Sequence, residues 1–311
     1  MSALRACLIA AALARSAAGA SPQACAPCHA AETAAFAGAA MTKALESRST
    51  ILRANPKLSL TLGPYSYEIA NSIYSVTDGN ETLRVPIEWA FGQGSAGQTY
   101  VFRRDGKWYE SRVSYFSALH ALDLTLGADP SPRTLAEAVG RIAPLREIRQ
   151  CFACHATNVS RSLDTLVEGV QCERCHAGSH PMKKLGALTT EQQLDFCGQC
   201  HRTWSQIAAN GPRGIANVRF QPYRLAGSRC YDAADPRIKC TACHNPHRGL
   251  ETSPAAYDTK CAACHAAGQC KVATANCVTC HMPRLDLPGA HQKFTDHRIR
   301  IVRPNEVYPD Y

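Results

Sequence analysis

Cys240-Thr241-Ala242-Cys243-His244, Cys261-Ala262-Ala263-Cys264-His265 and Cys277-Val278-Thr279-Cys280-His281 write one pattern three times in close succession. Moving toward the N-terminus, the same Cys-x-x-Cys-His returns at Cys197-Cys200-His201, Cys172-Cys175-His176, Cys151-Cys154-His155 and Cys25-Cys28-His29. The seven copies take every one of the 17 cysteines except Cys7, Cys230 and Cys270. Histidine supplies only 12 of 311 residues, so its presence after each of seven cysteine pairs is a motif and not an accident of composition.

The spacing has a chemical reason. Two thiols at i and i+3 of one tight turn reach the two vinyl groups along one porphyrin edge and form thioethers. The histidine that follows is carried beneath the iron as proximal ligand. The motifs therefore predict seven covalent haem c groups, attached through Cys25, Cys28, Cys151, Cys154, Cys172, Cys175, Cys197, Cys200, Cys240, Cys243, Cys261, Cys264, Cys277 and Cys280. The proximal iron ligands are His29, His155, His176, His201, His244, His265 and His281. Zinc sites share Cys-x-x-Cys but need no histidine after each pair. Thioredoxin-like redox pairs come singly, and bridges between motifs would leave the histidines without a use. No catalytic residue is assigned.

Haem also accounts for the rest of the composition. The chain has 3 Trp and 8 Phe, few for a core of this length, and porphyrin faces supply the missing apolar surface. The net charge of +9 contains no concentrated Lys/Arg tract, which argues against a nucleic-acid partner. Two propionates per haem, about −2, offset the basic excess instead. Residues 1–20 read as a signal peptide, with Arg5, an apolar run over 6–14 and a small-x-small end at Ala18-Gly19-Ala20. Their removal takes away Arg5 and Arg15 and leaves +7 on an exported, periplasmic chain.

The motifs are unevenly placed, which suggests four segments: signal peptide 1–20, first haem motif and helix 21–57, antiparallel β insert 58–125, and hexahaem domain 126–311. Residues 30–45 are Ala-rich and read as helix. Asp78-Gly79-Asn80 and Asp105-Gly106 sit between short alternating apolar runs and predict hairpins. A Pro-rich hinge at 129–132 precedes residues 135–150, which read as one amphipathic helix. Six motifs then fall within 151–281. A compact unit of that length has a radius of gyration of roughly 14 Å, so its haems must be neighbours. The expected fold is mainly α and irregular, short helices and loops wrapped around stacked haems, with a small antiparallel β subdomain inserted after the first haem motif.

Several stretches resemble the multihaem cytochrome c superfamily that includes the tetrahaem electron acceptor of hydroxylamine oxidoreductase. Cys172–His180 (CERCHAGSH) looks like its motif followed by a distal histidine, and Cys240–His247 (CTACHNPH) like its Cys-x-x-Cys-His-x-Pro-His element. Cys277–Pro283 followed by His291-x-x-Phe294-Thr295-Asp296-His297 resembles its C-terminal closure. Phe36 follows the usual spacing from His29, whereas Met41 replaces a histidine common in that group. The resemblance implies electron transfer.

Candidate distal iron ligands are His120, His180, His247, His291 and His297, with Met41 as a thioether candidate that could equally be a core methionine. His180 and His247 follow their own proximal histidines too closely to reach the opposite face, so each should serve a neighbouring haem. Seven irons outnumber these six. The leading functional expectation is a carrier of single electrons between redox proteins, with peripheral contact to a membrane-bound redox complex left open. One alternative is a reductase or oxidase of small nitrogen or sulfur species at an open iron; no Cys-x-x-Cys-Lys motif is present. Another is a subunit of a polymeric haem wire. Cys230 and Cys270, outside every motif, are expected to form a disulfide in an oxidising compartment. Intact mass of the exported form should exceed that of the polypeptide by seven haem increments; six or fewer would mean that one motif is not loaded.

Overall fold

The computed structural model describes residues 22–94, 96–176, 185–266 and 269–309. Ten strands lie between Leu45 and Ile142: β1 Leu45–Glu46, β2 Lys57–Leu62, β3 Tyr65–Ala70, β4 Ile73–Thr77, β5 Thr82–Pro86, β6 Trp89–Phe91, β7 Gly97–Arg104, β8 Lys107–Phe116, β9 Ala121–Leu124 and β10 Gly140–Ile142. They form two antiparallel sheets. One runs β2-β3-β4-β5; the other runs β1-β6-β7-β8-β10, with β9 on β8.

Local sequence explains the hairpins. Arg104 pairs with Lys107 across Asp105 (φ 50°) and Gly106 (φ 70°), two left-handed residues that suit a tight turn between twisted strands. Asn71 and Ser72 do the same between Ala70 and Ile73. At the next turn Asp78 Oδ1 accepts from the amides of Asn80 (2.9 Å) and Glu81 (2.8 Å). Alternation then sets the faces: Tyr65, Tyr67 and Ile69 of β3 are buried, as are Tyr74 and Val76 of β4. With Tyr100, Phe102, Val113 and Tyr115 they make a tyrosine-rich core. Arg112 is buried beside it, bonded to Tyr67 Oη and donating to the carbonyls of Asp129 (2.8 Å) and Pro130 (2.9 Å). The Pro-rich segment expected to be a hinge is thus tied to β8.

A second apolar cluster connects the sheet to the first motif that follows it. The helix Leu145–His155 places Ile148 and Phe152 one turn apart, and they pack with Leu45, Val101, Ala143 and Ala156. Trp89 and Phe91 meet the Phe152 ring edge-on, with centroids 5.6 and 5.2 Å away. Residues 41–47 also dock on 168–170. The Val170 amide donates to the Met41 carbonyl (2.9 Å), Ser47 bonds Glu168, and a Cβ on Gly169 would fall 1.9 Å from the Thr42 carbonyl oxygen.

Three expectations need correction. The chain is not mainly helical: 33% is helix and 23% strand. The single helix expected over 135–150 is Leu135–Ala138, then β10, then Leu145–His155. Gly140 (φ 146°) breaks it, lying so close to β8 that a Cβ would come 2.1 Å from the Glu110 carbonyl oxygen, and Pro144 starts the second helix. The helix expected over 30–45 stops at Phe36, because Ala39 is extended and buried and Leu45 pairs with β6.

Between 172 and 281 the described chain is short helices and loops. Its buried hydrophobic side chains are Leu194, Ile207, Val218 and Tyr223, whereas both apolar clusters lie within 45–156. No helix of the described residues is long and apolar enough to cross a membrane. Gly169→Ala should destabilise the protein by about 2 kcal/mol, through left-handed strain and loss of the 41–47 contact. Thermal unfolding would measure it, and an unchanged midpoint would rule out the contact.

Candidate haem-binding site

Each motif is built on a helical turn. Cys151–His155 and Cys197–His201 end the helices Leu145–His155 and Thr190–His201; the second begins with a capping box between Thr189 and Gln192. Cys172–His176, Cys240–Cys243 and Cys277–His281 are single turns. Hydrogen bonds from the His29 and His265 amides to the Cys25 and Cys261 carbonyls (2.9 Å each) close the same turn in two others. One turn sets the two thiols side by side, as attachment to a porphyrin edge requires.

The motifs also approach one another. The thiols of Cys25 and Cys172, Cys154 and Cys200, Cys197 and Cys240, and Cys261 and Cys277 lie close enough to perturb one another's proton affinity. No pair of the described cysteines lies at disulfide distance. The expected Cys230–Cys270 bridge is therefore corrected. Cys230 is half-buried beside Cys243 and Cys264, while Cys270 is exposed and held by the Val272 and Ala273 amides.

The histidines are poised as ligands. Nδ1 of His155 donates to the Ala44 carbonyl (2.9 Å), that of His281 to Arg300 (2.8 Å), and that of His297 to Thr295 (3.0 Å). These bonds fix the ring orientation and leave Nε2 for iron. The His176 and His247 rings lie 5.9 Å apart at 14°, and those of His244 and His297 lie 6.2 Å apart at 42°. Both centroid separations are compatible with two imidazoles sharing one iron. Burial lowers the proton affinity of His155, His201 and His244, and brings His297 down to about 4, favouring the neutral form that binds metal. The scarcity of buried apolar side chains over 172–281 fits the same group, which supplies the missing hydrophobic faces. Haem c therefore fits the residues present.

Other candidates fall elsewhere. His291 Nε2 donates to Asp123 Oδ2 (2.7 Å) and the ring sits edge-on to Phe116, so the nitrogen an iron would need is engaged by β9. His120 is exposed in the turn between β8 and β9. Met41 is half-buried, its carbonyl holding Val170. His180 and the signal-peptide segment 1–20 lie outside the described residues.

Sequence reasoning missed a buried charge cluster beside His297. Arg224 forks onto Asp296, Nε to Oδ1 at 2.9 Å and Nη2 to Oδ2 at 3.0 Å, with both side chains at most 1% exposed. Arg300 Nη1 adds a bond to Oδ2 (2.7 Å), and the Arg298 amide bonds Oδ1 (3.0 Å). Burial raises the Asp296 carboxyl, but the bonds from Arg224 and the Arg298 amide overcome that and leave it below its usual range. Arg224 also donates to the Pro309 carbonyl (2.7 Å) and lies over the Tyr308 ring, anchoring the C-terminal segment. The only sequence signal was the Asp296-His297 pair in the family-like closure.

Residues 165–266 match the family model for cytochrome c3, and residues 126–177 match that for cytochrome c554 and c-prime. No curated protein matches the chain. Among solved structures, the outer cell wall cytochrome OcwA aligns at 13% identity over 63% of this chain, with a TM-score of 0.36, too loose to bear on the fold. The chain covers 38% of that protein's length. The two family models together span residues 126–266, where five complete motifs and the His176–His247 pair lie, and they support a multihaem c-type cytochrome with covalently bound haem c.

Proposed function

We propose that this chain is an exported heptahaem c-type cytochrome that passes single electrons between redox partners, akin to the electron acceptor of hydroxylamine oxidoreductase. Haem supplies the chemistry, a one-electron change at iron. The chain supplies spacing and ligation. The observation that carries the proposal is the proximity of thiols from different motifs, Cys25 to Cys172, Cys154 to Cys200, Cys197 to Cys240 and Cys261 to Cys277, each pair near enough to perturb the other's proton affinity. Porphyrins carried on such neighbouring thiols would have closely spaced edges, as electron tunnelling needs.

The axial ligands follow from the ring pairs. His176 with His247 would hold the third-motif haem, and His244 with His297 the fifth-motif haem. Two imidazoles on each iron leave no position for substrate, which suits a carrier. Residues 1–20 would direct export, and the partners would be other redox proteins, a membrane-bound complex among them.

A second reading has one observation in its favour. With His291 engaged by Asp123, the candidates left for seven irons are His120, His180, His247, His297 and Met41. At least two irons then lack a sixth ligand from this set, and an open iron could reduce or oxidise small nitrogen or sulfur species. A neighbouring subunit's side chain filling it would instead give a haem wire.

Low-temperature EPR of the oxidised protein should be dominated by low-spin haem, and carbon monoxide should bind the reduced protein at two haems. Turnover of nitrite or hydroxylamine at a steady rate would favour the enzyme over the carrier. His247→Ala should remove one low-spin component and add one carbon-monoxide-binding haem. An unchanged spectrum would show that His247 does not ligate iron.

A further inference from the structure

The buried cluster at 224–300 is short of one anion. Asp296 can accept about four hydrogen bonds, and all four are used: Arg224 Nε and Nη2, Arg300 Nη1 and the Arg298 amide. The nearby Glu306 is committed too, with Oε1 to Arg300 Nε (2.9 Å) and Oε2 to the Arg303 amide (3.0 Å). The Arg298 guanidinium is left over. Its Nη1 is buried and has no hydrogen-bond partner among the described residues. A guanidinium nitrogen buried without an acceptor is costly, so the site suits an anion from outside the chain.

The surroundings say which anion. The strip 296–300 touches two iron-facing histidines. It contains His297, 6.2 Å from His244, and its Arg300 carbonyl accepts from His281 Nδ1 while its Arg300 amide donates to the His281 carbonyl (3.2 Å). The strip itself is fixed. Ser228 Oγ donates to the His297 carbonyl (3.0 Å) and accepts from the Ile299 amide (2.9 Å), and Gly227 lies against the Arg298 side chain, where an added Cβ would stand 3.5 Å from Cδ. The backbone on either side of Arg298 is therefore fixed.

We infer that Arg298 is an anchor for a haem propionate, the carboxylate belonging to the fifth-motif or the seventh-motif haem that flanks the strip. This rests on the heptahaem reading above. A guanidinium on a propionate offsets negative charge near the iron, which favours the reduced state of that one haem.

The test is a spectroelectrochemical titration of the whole holoprotein, wild type against Arg298→Gln. The expected result is one wave moved to lower potential by about a tenfold change in its reduction equilibrium, which is about 59 mV for a one-electron couple, with the others in place. Arg298→Lys, which keeps the charge and loses the fork, should move the same wave by less, and it serves if the Gln variant fails to load. If that wave is also moved by His297→Met, the fifth-motif haem holds the propionate; if by His281→Met, the seventh does. Unmoved potentials in both Arg298 variants would overturn the proposal, leaving water as the partner of Nη1. A pyridine haemochrome assay keeps this separate from the parent reading: wild-type protein without haem would sink the cytochrome proposal, whereas full haem with unmoved waves would sink only the anchor.

Discussion

Among the described residues of 172–281 few apolar side chains are buried, and the rest of the architecture answers to that scarcity. Leu194, Ile207, Val218 and Tyr223 cannot form a continuous core over so long a stretch. Covalent haem would supply the remaining stabilisation, its flat apolar faces standing in for side chains and its two thioethers fixing each motif's turn to a rigid plate.

The β half follows the opposite rule. It buries Tyr67, Tyr74, Tyr100 and Phe102 between its strands and spends a buried arginine, Arg112, on tying down the Pro-rich segment. The halves join where Leu145–His155 lies on the sheet through Ile148 and Phe152 and where His155 bonds the Ala44 carbonyl. The side-chain core of the β half thereby orients the motif at Cys151–His155.

The motifs and the Asp105-Gly106 hairpin were legible because each has a short-range cause: thioether spacing in one, paired left-handed residues in the other. The extent of the six-stranded sheet was not, since β1 has two residues and β10 three, too short for any period to register. Residues 135–150 carry a helical period that Gly140 and Pro144 interrupt, and Gly140 is explained only by its approach to Glu110. Long-range polar pairs were equally hidden. Nothing near His291 in the sequence announces Asp123, and nothing near Arg224 announces Asp296. A count of histidines cannot say which imidazole is already engaged.

The docking of Leu145–His155 has a consequence for biogenesis. Cys151 and Cys154 sit on a helix whose packing requires no cofactor, so they are displayed on a folded platform as soon as the sheet closes. Among the described residues the later motifs lie outside both apolar clusters, so the second motif differs from them in being seated by side-chain packing alone.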